Sequence, residues 1–353
     1  MSKKRPISCI AILLSIFVLS SSGYAQTDNI AKFLWAGVDN AEILTKAYLK
    51  PIPHGVGAGL NTGWFTTAKT HKPLGFDIQI RGVAAFIPSS HQHFDISNLS
   101  LQNIRPADAS KTISPTIGGV DSKGPEVIIQ HQGREIDRFN LPQGVGYHFV
   151  PAPMIQATLG AVADTDIMVR FVPKINIANY GDFQLRGMGI KHQLNQWLPG
   201  GKWFPVNISI MAGYSRMDLS TDLNLQPPEQ AAPDPTYSGD YENQKLSATF
   251  DTFTAKLIVG KDLPFLSVYG AVGYQFATMN FAVKGDYPIP VASPAGTAVV
   301  KTVTDPFSYE TDMNGYFSLT GGLNLKLFFF HLFGEYTLAK YSSVNAGIGF
   351  SFR

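Results

Sequence analysis

The feature of this sequence that most constrains its fold is a long-range alternation of apolar and polar side chains. In the C-terminal segment every second residue is apolar, namely Val344, Ala346, Ile348, Phe350 and Phe352, and between them lie Asn345, Gly347, Gly349, Ser351 and Arg353. A period of two predicts a β-strand with one apolar face. Several such segments run for about ten to twenty residues, whereas soluble strands average about five to six and membrane-spanning strands need about nine to eleven. The pattern therefore favours strands that cross a membrane.

Alternating segments recur along most of the chain. Ten candidate strands fall near residues 74–88, 153–162, 165–174, 181–196, 205–215, 243–262, 264–284, 308–327, 331–340 and 342–353. Ten is an allowed number, because bacterial single-chain barrels have an even strand count. A further hairpin within residues 126–139 would make twelve. We predict an all-β fold, a transmembrane antiparallel β-barrel of roughly 10–14 strands; a secreted or periplasmic β-sandwich stays open as the alternative.

The connections between these segments are of two kinds. Short turns are predicted near residues 163–166, 198–204, 261–264 and 329, and long loops at 89–151, 221–242 and 285–307. Outer-membrane barrels show this asymmetry, with short periplasmic turns and long external loops. The aromatic residues Trp197, Trp203 and Phe204 flank one predicted short turn, so we interpret them as part of an interfacial aromatic girdle. Ordinary core aromatics at strand ends are the alternative.

Residues 1–25 have the layout of a secretory signal peptide. Lys3, Lys4 and Arg5 precede an apolar core at 7–19, and small residues precede a predicted cleavage site at Gln26. Cys9 is the only cysteine and lies inside this segment, so the mature chain is predicted to form no disulfide or zinc–thiolate site. Beyond residue 26 no apolar run reaches the length of a transmembrane helix. These features predict export to the outer membrane of a Gram-negative cell.

Residues 26–73 precede the first clear strand and have a different pattern. Apolar residues at three-to-four spacing predict a helix within 27–50, and Pro51, Pro53 and four glycines then predict that the helix ends. We predict that 26–73 form a plug or hatch, and that the barrel comprises residues 74–353. A plug would crowd ten strands, because side chains alone fill small barrels. Plug occupancy therefore argues for twelve or more strands, while the strand count argues for ten.

Charged residues lie on the polar faces of the candidate strands. The predicted lumen network, a candidate pore lining, comprises Asp77, Arg81, Asp166, Arg170, Arg186, Lys256, Lys326 and Glu335. The spacing of four within the pairs Asp77–Arg81 and Asp166–Arg170 predicts lumen salt bridges. The alternating apolar residues from Val344 to Phe352 are predicted to face lipid. A net charge of +2 is too small to indicate a nucleic-acid binder.

The sequence offers weak support for catalysis or metal binding. His192 and Ser209 lie on neighbouring candidate strands, so a lumen Ser–His hydrolase is an alternative, but no third group to orient the histidine is evident. His91 and His93 share one face of an extended segment, and no third metal ligand is identifiable. We therefore predict no enzyme activity, no cofactor and no metal.

Several stretches resemble a known family. "AYLKPIPHGVGAGLNTGWFTTAKTHKPLGFDI", "VPAPMIQATLGAVADTDIMVRFVPKI", "IKHQLNQWLPGGKWFPVNISIMAGYS" and the closing "AGIGFSFR" are similar to an uncharacterised family of outer-membrane barrels from Bacteroidota. The resemblance implies fold and location, and no functional residues. A more distant, architectural likeness is to outer-membrane long-chain fatty-acid transporters, which also place an N-terminal hatch before the first strand. Architecture alone does not establish function.

Two functions follow as hypotheses from this pattern. The first is a channel or transporter for a small solute, with a hydrophobic solute as a candidate. The alternative is a structural or partner-binding barrel that acts through its long external loops. The predicted partners are outer-membrane lipid and the barrel-assembly machinery. Barrels usually end their assembly signal on an aromatic residue, whereas here Arg353 follows Phe352.

Overall fold

The computed structural model describes residues 31–352, apart from 132–133, 178–180, 228–231, 238, 240 and 293–297. The predicted signal peptide, residues 1–25, lies outside the described residues. Within them the chain forms a closed barrel preceded by a short helical segment. No helix in this part of the chain is both long and apolar enough to cross a membrane.

The barrel wall contains ten strands among the described residues. They are β1 (Phe76–Phe86), β2 (Phe149–Ala161), β3 (Thr165–Ile177), β4 (Gly181–Gln193), β5 (Asn207–Asp222), β6 (Lys245–Asp262), β7 (Leu266–Lys284), β8 (Phe307–Leu327), β9 (Phe330–Leu338) and β10 (Ser343–Phe352). Each strand pairs antiparallel with its sequence neighbours, and β1 pairs with β10 to close the sheet. The predicted fold class, an antiparallel barrel of ten strands, is confirmed.

Two helices precede the barrel in the described residues. A 3₁₀ turn at Lys32–Ala36 leads into α1 (Val38–Leu49), and α2 (Pro51–Leu60) follows directly. The helix predicted within 27–50 ends at Leu49, directly before Pro51, as expected. The irregular segment expected after it is not found, because α2 begins at Pro51 and includes Gly55, Gly57 and Gly59. Both prolines lie in the first turn of α2, where backbone N–H groups have no intrahelical partner to lose.

The two ends of the barrel differ. At the end that we call the turn end, the strands join through 162–164, 194–206, 263–265 and 328–329. At the opposite end, the loop end, the connections are 87–148, 223–244 and 285–306, with a short turn at 339–342. The loops contain further strands at His93–Asp95, Ile104–Pro106, Ile113–Pro115, Glu126–His131, Arg134–Asn140, Asp286–Ala292 and Ala298–Thr304. The suspected hairpin at 126–139 therefore exists, but it belongs to a loop sheet and not to the wall.

A band of exposed apolar side chains surrounds the half of the barrel nearest the turn end. On β7 and β8 it comprises Val268, Val272, Tyr274, Phe276, Phe317, Leu319, Leu323 and Leu325. Toward the loop end the outward residues on these strands become polar, as at Asn280, Glu310 and Asp312. A strand stretch of about ten residues, tilted by about 45°, is roughly 25 Å tall, which is the height of the apolar band of an outer-membrane barrel.

The loop end is covered by helix α1 and by segments of the loops 87–148, 223–244 and 285–306, which together we call the cap. Phe33 packs against Tyr48 and Phe139, with ring centroids 6.2 and 6.3 Å apart. The Ile117 N–H donates to the Tyr48 carbonyl at 3.0 Å, and the Asn40 amide nitrogen donates to the Gln102 carbonyl at 2.8 Å. The buried apolar cluster of this cap is continuous with the part of the lumen nearest the loop end. We call that part the upper lumen, and the part nearest the turn end the lower lumen. The cap therefore joins the N-terminal segment to the loops.

Candidate functional site

The N-terminal segment passes through the whole lumen, from the cap to the turn end. We call residues 31–73 the plug. Its contacts with the wall run in order along the barrel: the Asn61 side chain reaches the Phe276 carbonyl, Thr67 reaches Asp262, and His71 reaches Asp166. The Leu74 N–H then donates to the Gly160 carbonyl at 2.9 Å, just before β1 begins. The lumen is therefore the candidate functional site.

Helix α2 fits inside ten strands because glycines form its contact faces. A Cβ atom on Gly55 would lie 2.3 Å from Val150 Cγ2 on β2, and one on Gly57 would lie 2.7 Å from Ala277 Cβ on β7. Gly59 faces Ala152, with an ideal Cβ–Cβ distance of 3.0 Å. Small residues let backbones approach closely. We expected a plug to need twelve or more strands, because ten leave little room in the lumen. The glycines of α2 remove this need, since they let the helix approach the wall closely.

Arg170 holds the turn that follows α2. Its guanidinium donates to the Leu60 carbonyl at 2.6 Å, to the Thr62 carbonyl at 2.8 Å and to Gln156 Oε1 at 3.0 Å. The same group lies 3.7 Å from the centroid of the Trp64 ring. Leu60 ends α2, so the cation also complements the negative end of the helix dipole. Arg170 is buried and forms no ion pair with any described residue, so two plug carbonyls and the Gln156 amide oxygen are the acceptors for its guanidinium.

Glu335 on β9 and Arg81 on β1 hold the same turn. Glu335 Oε1 accepts from the Thr62 hydroxyl at 3.0 Å and from the Gly63 N–H at 2.8 Å, and Arg81 donates to the Gly63 carbonyl. Tyr269 donates to the other Glu335 oxygen at 3.1 Å. Gly63 has a φ of 71°, a conformation that favours glycine. We call Arg81, Arg170 and Glu335 the upper clamp.

A second set of polar contacts holds the lower plug near the turn end. Asp166 accepts from the His71 N–H at 2.9 Å and pairs with Lys191 Nζ at 3.0 Å. Lys191 also donates to the Lys69 carbonyl at 2.8 Å. Asp262 accepts from the Thr67 hydroxyl at 2.7 Å. We call Asp166, Lys191 and Asp262 the lower clamp.

The predicted lumen charges have varied partners. The six that are buried in the lumen are Asp77, Arg81, Asp166, Arg170, Lys256 and Glu335. Lys256 donates to Thr320 Oγ1 at 3.3 Å, and Lys326 pairs with Asp262 close to the turn end. The predicted salt bridges within the pairs Asp77–Arg81 and Asp166–Arg170 are wrong. Asp77 instead pairs with His331 at 2.9 Å, and both arginines bind the plug backbone, because the plug brings carbonyl acceptors within reach.

The placement of Arg186 in the lumen network is also wrong. Its side chain is 57% exposed on the outside of β4 and pairs with Asp218 at 3.1 Å. The glycines at 187 and 189 carry no side chain that would indicate which face of the strand is apolar, so the predicted phase is wrong by one position. The lumen face of β4 comprises Phe183, Leu185 and Lys191.

The other predicted site residues lie on the outer surface. Trp197 and Trp203 are 71% and 90% exposed at the turn end, and Phe204 is exposed beside them. The outward residues of β10 are Val344, Ala346, Ile348, Phe350 and Phe352. These two sets lie on the same outer surface as the apolar band of β7 and β8.

The pair His192 and Ser209 does not form a catalytic site. His192 pairs with Ile210 across the strands, points outward and accepts from Trp197 Nε1 at 2.8 Å. Ser209 is fully buried on the lumen side and donates to the Ala68 carbonyl. In the described part of the chain, no group of three or more histidine, cysteine or acidic residues is placed to hold a metal ion.

A small aromatic cluster links α2 to the loops. His54 stacks on Tyr341 at a centroid distance of 5.3 Å, and His91 Nδ1 lies 2.6 Å from the Tyr341 hydroxyl. Burial, with Lys340 and the other nearby cations, lowers the pKa of His54 to about 4. Burial and the charges of Lys50 and Lys340 also lower the pKa of His91. Both rings therefore stay uncharged at neutral pH.

Sequence reasoning missed several residues that hold the plug: Gln156, Lys191, Asp262 and Tyr269. Gln156 carries a usable signal, because it shares the polar parity of its strand with Thr158. Gln156 and Lys191 donate to the plug carbonyls of Trp64 and Lys69. Asp262 accepts from the Thr67 hydroxyl, and Tyr269 acts through Glu335. No pattern in the strands alone could indicate these partners.

Comparison with known proteins identifies a family. No curated protein matches the sequence. A model of the "Family of unknown function (DUF6588)" matches residues 1–352. Among solved structures, Ail, the attachment invasion locus protein of Yersinia pestis, is similar at 7% identity and a TM-score of 0.25, over 79% of this chain and 97% of that chain. The translocator domain of autotransporter NalP from Neisseria meningitidis is similar at 12% identity and a TM-score of 0.30, over 80% and 90%.

Proposed function

The chain belongs to the family of unknown function DUF6588, and we propose that it is an outer-membrane barrel that passes a small solute when its plug moves. The outer-membrane location is supported by the apolar band, which includes exposed Phe317, Leu319 and Leu323 on β8 alone. Soluble proteins rarely expose an apolar patch of this extent. An apolar band roughly 25 Å tall with aromatic residues at its border is the arrangement found in outer-membrane barrels.

The observation that carries the proposal is that an N-terminal segment fills the lumen and that its part below α2 is held there mainly by polar contacts. A barrel with a purely structural role can fill a small lumen with the side chains of its own wall. Here the plug backbone bonds to Arg81, Arg170, Glu335 and Lys191. A bond to a charged group contributes about 1.5–3 kcal/mol, and water that enters the lumen can replace the lost partner. The plug can therefore leave these partners and return to them.

The turn end offers an entrance to this route. A cavity of about 280 Å³ lies between the lower plug and the wall, lined by residues that include Lys69, Asp77, Asp262, Lys326 and His331. It mixes acids and bases, so it suits no single sign of charge. We propose that it is the vestibule on the side of the short turns.

A second function is favoured by one feature of the cap. A groove of about 760 Å³ lies among the loop segments, with Asp108, Lys111, Lys123 and Glu126 on its lining. Such a groove on the loop end suits an external partner. We propose partner binding at this groove as the alternative function. The architectural likeness to fatty-acid transporters remains an expectation from the sequence.

A reversible lock on the plug tests the proposed function. An ideal Cβ on Gly260 of β6 lies 3.1 Å from Ala68 Cβ of the plug, slightly short of the roughly 3.5–4.5 Å found in disulfides, so a small outward shift of the plug accommodates the bridge. The double variant Ala68→Cys with Gly260→Cys should cross-link the plug to the wall on oxidation. We expect solute entry into cells that carry the variant to stop on oxidation and to return on reduction.

The single variants Ala68→Cys and Gly260→Cys serve as controls, since neither can form the bridge. The predicted mature chain has no cysteine to compete, because Cys9 lies in the predicted signal peptide. Undiminished entry with the oxidised bridge in place would refute passage by plug movement. It would leave partner binding as the better account.

A further inference from the structure

The level of the lumen at which the upper clamp lies carries an excess of positive charge. Arg81, Arg170 and Lys256 are buried there, at 2%, 0% and 4% exposed, and each interacts electrostatically with Glu335. The acids of the lower lumen each have a partner of their own: Asp77 with His331, Asp166 with Lys191 and Asp262 with Lys326. Three cations against one carboxylate leave two positive charges in excess among the described residues of this level, which we call the cation level.

Lys256 forms no hydrogen bond to the plug or to an acid within the described residues. Its ammonium donates to Thr320 Oγ1 at 3.3 Å and lies 5.8 Å from the centroid of the Phe65 ring. Burying a charge costs free energy unless the charge is paired and hydrogen-bonded. The fold therefore gains little from this lysine, and its charge is available to a solute in the lumen.

Arg81 has one edge of its guanidinium without a partner. Nη1 donates to the Gly63 carbonyl, and the Phe333 ring centroid lies 4.7 Å from the guanidinium carbon. Nε and Nη2 donate to no group in the described part of the chain, although the side chain is buried. The N–H groups of these two atoms are parallel and can bind a carboxylate or a phosphate bidentately. This edge therefore suits an oxyanion.

Asn345 lies beside Arg81. An ideal Cβ on Gly63 would lie 2.5 Å from both Arg81 Nη1 and Asn345 Nδ2, so the two side chains meet at the same point of the plug. The Asn345 amide is 1% exposed and has no hydrogen-bond partner among the described residues. Glu335 does not satisfy the free edge of Arg81, because its oxygens already accept hydrogen bonds from the plug and from Tyr269.

The plug covers the cation level with neutral acceptors. Carbonyls of the turn 60–63 accept hydrogen bonds from Arg81 and Arg170. A carbonyl satisfies an N–H donor, but it carries no net charge and so does not neutralise the cation. When this turn moves away, the donors of both arginines face an open lumen whose excess positive charge attracts anions.

We propose that the cation level is an anion-selective constriction, and that Arg81 and Asn345 bind a small hydrophilic oxyanion, such as phosphate, as it passes. The other two cations of the level supply flanking positive charge. Gln79 and Ser343, the inward neighbours of these residues on β1 and β10, are polar and favour a hydrophilic solute. The inference rests on the proposed function and adds the class of solute to it.

The ion selectivity of the full chain in planar bilayers tests this inference, with Gly63→Ala used to favour the open state. The alanine leaves every charge of the wall in place, but its Cβ would meet Arg81 and Asn345, and a φ of 71° is unfavourable for it. The reversal potential is measured in a gradient of potassium chloride. We expect chloride to permeate about tenfold better than potassium, because a cleft of one sign of charge concentrates its counter-ion by at least that factor. Spontaneous openings of the unmodified chain give the same measurement if Gly63→Ala does not assemble.

Adding Lys256→Gln should lower this preference for chloride several-fold. The change removes one of the two excess charges and no hydrogen bond to the plug. The matched control is Arg186→Gln in the same background, which removes a cation from the outer surface of β4. We expect the control to leave the reversal potential unchanged.

Inorganic phosphate should reduce the chloride current by occupying the free edge of Arg81. Arg81→Lys keeps the positive charge but loses the two parallel N–H groups. We expect it to weaken the phosphate block by about tenfold, which corresponds to the loss of one hydrogen bond to a charged group. The concentration of phosphate that halves the current measures this effect.

Three results would count against these claims in different ways. Openings that do not favour chloride, or a preference that Lys256→Gln leaves unchanged, would overturn the anion-selective constriction while passage by plug movement stands. An equal phosphate block in Arg81→Lys would overturn the oxyanion site. If neither the unmodified chain nor Gly63→Ala conducts, and the reduced Ala68–Gly260 variant admits no solute, the proposed function fails, and the inference with it.

Discussion

Replacing Arg170 with alanine should convert a closed barrel into one that opens frequently. The change removes three hydrogen bonds from a charged donor and leaves the Leu60 and Thr62 carbonyls without these partners. A bond to a charged group contributes about 1.5–3 kcal/mol, so a net loss of about 3 kcal/mol in plug docking is a conservative expectation. That loss corresponds to roughly a hundredfold rise in the undocked population. Single-channel recording in planar bilayers measures it as open probability.

Arg186→Ala is the matched control for this variant. Arg186 lies on the neighbouring strand and is paired on the outer surface with Asp218, and exposed ion pairs contribute about 0–1 kcal/mol. We expect its open probability to equal that of the unmodified protein. Equal behaviour of the two variants would contradict the role of Arg170 in holding the plug.

Leu323→Arg should sharply reduce the amount of assembled barrel. Leu323 lies in the middle of the apolar band on β8 and is 53% exposed. An arginine at the bilayer midplane of a barrel costs about 2–4 kcal/mol. Urea unfolding of the protein in lipid vesicles measures this cost as a lower free energy of unfolding. The yield of heat-modifiable protein in the membrane fraction gives a second readout.

Glu310→Arg provides the comparison on the same strand. Glu310 also points outward, but it lies toward the loop end, above the apolar band. A charge is already accommodated there, so we expect little change in the free energy of unfolding. If both substitutions cost the same, the apolar band would not mark the position of the bilayer.

The strands were predictable because their constraint is local. Alternation along β7 and β10 is visible in the sequence, since each apolar residue from Val344 to Phe352 occupies the same face. Short and long connections then set the two ends of the barrel. Strand number and antiparallel order follow from these two patterns, without knowledge of which residues pair across neighbouring strands.

The lumen was less predictable because its contacts are non-local. The glycines at 55, 57 and 59 indicated a break in the helix, whereas they are the contact faces of a helix inside a narrow barrel. Arg170 was identified as a lumen residue, but its acceptors are backbone carbonyls more than a hundred residues away in the chain. A salt bridge was the natural expectation for such a charge.

β2 and β3 pair only from Ala161 opposite Thr165 to Gln156 opposite Arg170, and the sequence of β2 carries a signal for the end of this pairing. Pro151 and Pro153 stand two residues apart, and prolines inside a strand indicate an unpaired edge. The alternation of β2 is nevertheless uninterrupted between Ile155 and Ala161. The neighbour that departs from β2 could be identified only from the register of β3.

The central claim is that residues 31–73 close the lumen of a membrane barrel. The most direct measurement is the conductance of the full chain and of a variant that lacks 31–73, each reconstituted in planar bilayers and verified as folded by heat-modifiable migration. We expect a closed full-length barrel and a large, steady conductance after the deletion. Equal conductance of the two proteins would contradict it.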